Sequence, residues 1–149
     1  MLEQQIEQDI KSALLAHDSE RVSTLRGVKS ALLNLKVASG KRESGLSDDE
    51  VTKVLAKESK QRQESADLYK QGGDETRQRA ELSEKAIIDA YLPKQLSEAE
   101  ISAVIDEVIK SSGVNQLQAM GQVIGQVKSK VGAAADGAVI ARLVKEKLS

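Results

Sequence analysis

Apolar side chains recur at intervals of three and four from one end of this chain to the other, and that spacing is the signature of packed helices. Leu2, Ile6, Ile10, Ala13 and Leu14 fall on one face of a first helix, read from Leu2 to about His17. Leu25, Val28, Leu32 and Leu35 form a narrow seam on a second, which runs to about Ala38. β-branched residues keep the same period, as in Ile101, Val104, Ile105, Val108 and Ile109, so they do not signal strands. Aromatic content points the same way. With no Phe, no Trp and only Tyr69 and Tyr91, the core is built from Leu, Ile, Val and Ala, whereas a β-sandwich or barrel draws on aromatic and β-rich runs.

End signals divide the pattern into seven helices. Asp18 is an N-cap for the second, and the short link before it predicts antiparallel packing on the first. Gly40 to Gly45 is a polar loop. Ser47-Asp48-Asp49-Glu50 is a capping box that starts a third helix, expected to stop at Gly72-Gly73. That helix is polar almost all round between Lys57 and Asp67, so its middle is expected to project or stand partly exposed, with Glu58 and Arg62 pairing at i, i+4. Asp74 caps a fourth helix, which runs to Leu92 and is ended by Pro93, the single proline. Ser97-Glu98-Ala99-Glu100 boxes a fifth. Asn115 is read as the cap of a sixth, running to about Val131 with Leu117, Met120, Ile124 and Val127 inward. Asp136 caps a seventh after the Gly132–Gly137 turn. The expected fold is all-α and multihelical, in two helical subdomains: about four helices over 1–92, then three over 93–149.

Several function classes find no support. There is no cysteine, and His17 is the only histidine, so no transition-metal ligand set can be assembled and no metal is expected. The carboxylates sit mostly in caps and on solvent-facing positions, and no spacing singles out a general acid/base pair. Gly121 and Gly125 lie inside an apolar-periodic helix rather than between a strand and a helix, so they are not a dinucleotide fingerprint, and no cofactor is expected. The chain begins without a basic n-region or apolar h-region, and no apolar run is long enough to span a membrane. Cytoplasmic location without membrane association is the expectation.

What remains points to binding. Net charge is −1, but it is uneven. Residues 21–42 carry Arg21, Arg26, Lys29, Lys36, Lys41 and Arg42 with no acid. After residue 126, Lys128, Lys130, Arg142, Lys145 and Lys147 face only Asp136 and Glu146. Gly121 and Gly125 are one helical turn apart, which is read either as close approach of a neighbouring helix or as close approach of a ligand. Gly132 opens a small-residue turn into a helix N-terminus, a geometry that suits phosphate, although Asp136 at the cap already accepts those amides. The four candidate nucleic-acid-binding residues are Lys128, Lys130, Arg142 and Lys145.

A resemblance gives the binding reading a direction. Tyr91-Leu92-Pro93-Lys94-Gln95-Leu96 resembles a junction of the GatB/YqeY family in its stand-alone YqeY form. So do Thr24 to Leu32, Lys57 to Ser65, Met120-Gly121-Gln122-Val123-Ile124-Gly125, and Ala135-Asp136-Gly137. The stretches lie in the family's order across nearly the whole chain. The resemblance implies two all-helical parts. It also implies a relationship to the tail of the GatB component of the aspartyl/glutamyl-tRNA amidotransferase, the part that holds tRNA while other domains do the chemistry. By that reading the family's association with carbon–nitrogen ligation, glutamine being the amido donor, belongs to the full complex. This chain is then a non-catalytic accessory tRNA-binding module, with tRNA as partner and an amidotransferase-type protein as a possible second. The alternative is a helical protein-interaction adaptor. The chain departs from the family at two commonly basic positions: Gln122 follows Met-Gly, and no Lys or Arg stands beside Gly132, which lowers the charge available to phosphates.

Overall fold

Helix ends follow the chemistry of their caps in the computed structural model, which describes residues 1–149. Seven α-helices are present: α1 (Leu2–Leu15), α2 (Ser19–Ser39), α3 (Asp48–Gln71), α4 (Glu75–Asp89), α5 (Glu98–Ser112), α6 (Met120–Val131) and α7 (Gly137–Leu148). Asp18, Ser47, Asp74, Ser97 and Asp136 each accept a backbone N–H at a helix start, and Ser47 and Ser97 complete capping boxes with Glu50 and Glu100. Contacts divide the chain into two compact units, Met1–Leu92 and Pro93–Ser149.

In the first unit α1 and α2 pack against α3 and α4 around Ile6, Ile10, Leu25, Val28, Leu32, Val51, Leu55 and Ile88. The three lysines of the basic run of α2 and the loop after it are paired from within. Lys29 pairs with Glu7 at 3.2 Å, Lys36 with Glu3, and Lys41 with Glu50 at 2.9 Å. Lys41, together with the Ser47 amide, holds the Glu50 carboxyl below its ordinary range.

The middle of α3 stands partly exposed, as expected, with Lys57, Lys60, Gln61, Glu64 and Asp67 at the surface, but it does not project free of α4. Ser59 and Ala66 are buried, and Arg62 reaches across to α4, pairing with Glu84 at 2.6 Å and Glu81 at 3.6 Å. The expected Glu58–Arg62 pair is therefore replaced by a cross-helix one, because α4 presents two carboxylates to the same guanidinium. Further along, Ser59 Oγ donates to Asp89 at 2.5 Å and Lys85 pairs with the same carboxylate. Tyr91 donates its hydroxyl to Asp9 of α1. Burial and that carboxylate push the phenol up to about 12.

Three boundaries differ from the sequence reading. α1 ends at Leu15, with His17 in the left-handed region at φ 56°, and Leu14 is 46% exposed. α4 ends at Asp89 because Tyr91 and Leu92 turn back through i→i+3 bonds ahead of Pro93. Asn115 does not cap α6. Val114 is packed against the second unit's core, so the chain stays extended through Gln116, makes a 3₁₀ turn over Leu117–Ala119, and enters α6 without a side-chain cap; Leu117 stays half-exposed.

The second unit wraps α5, α6 and α7 around Ile101, Ile105, Val108, Val123, Val127, Ile140, Leu143, Val144 and Leu148. The segment after Pro93 is pinned within this unit. Leu96 donates its amide to Ala134 at 2.8 Å, and the Gln95 amide donates to the carbonyls of Ala133 and Pro93.

Candidate nucleic-acid interface

α6 has two sharply different faces. Val123 and Val127 are buried and Met120, Ile124 and Val131 are half-buried, which fixes the inward side. The outward side carries Gly121, Gln122, Gly125, Gln126 and Ser129, all exposed. Lys128 flanks it on one edge and Lys130 on the other, and no acid occurs anywhere in Met120–Val131.

Gly121 and Gly125 meet nothing within 4 Å of a Cβ built on either. Close approach by a neighbouring helix of this unit is thereby ruled out: within the unit, the glycines leave the backbone of α6 bare. Each forgoes about 1 kcal/mol of helix stability relative to Ala, with no internal packing to compensate. Ser129 donates its hydroxyl to the Gly125 carbonyl at 3.1 Å, so its oxygen remains only as an acceptor.

Gly132 has a different explanation. It ends α6 at φ 54°, ψ −132°, a conformation an L side chain rarely adopts, so the turn itself demands glycine. Gly137 matters in a way the sequence did not reveal. A Cβ there would lie 3.1 Å from Lys128 Cε and 3.2 Å from its Nζ, so this glycine makes room for the lysine to lie across the start of α7. The α7 N-terminus is not an open phosphate cradle, since Asp136 accepts the Ala138 amide at 3.0 Å.

The structure separates the four basic candidates. Lys130 pairs with Glu107 of α5 at 3.2 Å. Arg142 pairs with Glu98 of α5 and with Glu146 at 3.2 Å, and both acids strengthen its charged form. Lys147 joins the same pattern through Asp106 at 2.7 Å. Lys128 and Lys145 make no such bridge to α5; Lys128 lies over Gly137, and Lys145 is an exposed side chain of the last turn of α7.

Elsewhere, a groove of about 660 Å³ runs between α2 and α3, lined by Ala31, Leu35, Ala38, Val54 and Lys57 among others. A second hollow, of about 490 Å³, lies at the α1–α2 turn beside His17, Ser23 and Arg26. No three His, Asp or Glu side chains converge as a metal site, and no helix is long and apolar enough to cross a membrane.

These features describe an all-helical protein of two units whose second unit presents a glycine-faced, acid-free helix flanked by cations. The model of the Yqey-like protein family matches residues 3–148, and the chain belongs to that family. A search among curated proteins found no match.

Proposed function

We propose that this protein is a non-catalytic, cytoplasmic accessory module that binds tRNA through the outward face of α6, and that it is related in role to the tRNA-holding tail of the amidotransferase. The observation that carries the reading is that face: two bare glycines one turn apart, glutamines and a serine beside them, a lysine at each edge and no acid. A-form RNA has a wide, shallow minor groove lined with 2′-hydroxyls. A helix without side chains at two consecutive turns can lie close against such a groove. Gln122 and Gln126 offer both donors and acceptors to hydroxyls, Ser129 offers an acceptor, and Lys128 and Lys145 are available to phosphates. Without Phe or Trp, and with both tyrosines outside this unit, recognition rests on shape and backbone rather than on stacking of single-stranded bases.

The test is a gel-shift or filter-binding titration against total tRNA at low and at physiological salt. Binding that weakens with salt is expected, and Lys128→Ala or Lys145→Ala lowers both the affinity and the salt slope. Absence of binding at either salt sinks the proposal. Purified protein is also expected to release no ammonia from glutamine.

A second reading, a protein-interaction adaptor, is favoured by the α2–α3 groove and by Leu33 and Val37, which stand about half-exposed one turn apart on α2. Pull-down after ribonuclease treatment separates the two. A partner that survives the nuclease supports the adaptor, and one that is lost supports RNA.

A further inference from the structure

We propose that Glu107 of α5 is an internal competitor for the nucleic acid, holding Lys130 away from the phosphates until RNA displaces it. The inference rests on the RNA reading above and concerns the same face of α6. The two edges of that face are not equivalent. Lys128 lies over Gly137, on the α7 side. Lys130, four residues beyond Gln126, is bridged to Glu107 at 3.2 Å. The lysine and glutamate side chains are 47% and 66% exposed, so the pair is open to solvent and can exchange partners without unfolding.

A carboxylate in this place acts twice. It occupies the ammonium that would otherwise meet a phosphate, and its own charge repels the polyanion beside the glycine face. The other α5 pairs do not have this property. Arg142 is shared between Glu98 and Glu146, so neutralising Glu98 leaves it still paired. The Lys147 side chain is only 27% exposed where it meets Asp106, at the far end of α7. Glu107 is thus the α5 acid whose neutralisation releases a cation directly onto the α6 face.

Four proteins test this by tRNA titration at low salt: Glu107→Gln, Lys130→Ala, the double variant, and Asp106→Asn, which makes the same change in net charge as Glu107→Gln. Glu107→Gln is expected to tighten binding by about 1.5-fold to fivefold, the range an exposed ion pair sets. Most of the gain should be lost in the Lys130→Ala background, where only the repulsion from Glu107 itself remains to be relieved, and Asp106→Asn should show little of it. Equal gains with and without Lys130, or an equal gain from Asp106→Asn, overturn the competitor role while leaving the RNA reading intact. If wild type and all variants fail to bind tRNA, the RNA reading falls and this inference with it. Circular dichroism of each variant confirms that the helices are retained.

Discussion

Residues 1–92 bury polar groups and residues 93–149 do not. Thr24 and Ser59, the buried polar residues, both belong to the first unit. So do the only two buried side-chain polar atoms without a hydrogen bond, Thr24 Oγ1 and Glu81 Oε2. The Arg62–Glu81–Glu84 and Ser59–Asp89–Lys85 clusters tie α3 to α4 where their apolar residues are few. The second unit closes over an aliphatic core, and its ion pairs stay at the surface. The difference separates two ways of fixing a register: by shape and burial, or by the pairing of particular charges.

The comparison can be broken most decisively at Ile105, which is fully buried in the second unit. Ile105→Ala should remove about 3 kcal/mol from that unit. Both tyrosines lie in the first unit, so tyrosine fluorescence should keep its denaturation midpoint while far-UV circular dichroism shows an earlier transition. A coincident shift of both signals would mean that the units do not melt separately. Arg62→Met should cost the first unit about 2 kcal/mol, because Glu81 and Glu84 then face each other without a cation. Adding Glu81→Gln and Glu84→Gln should restore most of the loss; no recovery in urea denaturation would show that Arg62 acts by packing alone.

Tyr91→Phe should cost about 1–2 kcal/mol through loss of the hydrogen bond to Asp9. The accompanying pH effect has a definite sign. A phenol raised from 10.0 to about 12 on folding contributes stability that is fully present below pH 10 and is lost as pH rises through 12. Wild-type stability should fall across that window more steeply than that of Tyr91→Phe, and absorbance titration should show a tyrosine ionising near pH 12. The smallest effect sharpens the contrast from the other side. Gly125→Ala has open space around it and should stabilise the second unit by roughly 0.5–1 kcal/mol in thermal denaturation. By the proposed function it should at the same time weaken tRNA binding.

The all-helical fold was legible because the three-four spacing recurs in every segment, and the caps at Asp18, Ser47, Asp74, Ser97 and Asp136 were legible because each is a local event within three residues. What could not be read depends on neighbours distant in sequence. Arg62 chooses Glu84, twenty-two residues away, over Glu58 on its own helix. Asn115 loses its cap role because Val114 is drawn into the core. At the candidate interface, Lys128, Lys130, Arg142 and Lys145 were visible as a basic run, but their division by α5 was not, since Glu98 and Glu107 lie 44 and 23 residues from the cations they hold. Gly121 and Gly125 were visible as an anomaly; only the empty space around them excludes the internal explanation.

The segment that follows Pro93 has a mechanical consequence. Gln95 and Leu96 are fastened to Ala133 and Ala134, nearly forty residues ahead in the chain, before α5 begins. Tension entering at Pro93 therefore passes first into the turn between α6 and α7, and α5 is shielded until those bonds peel. Under a pulling force the joint behaves as a buckle sewn to the far end of the strap, and its release should precede the unravelling of the helices it guards.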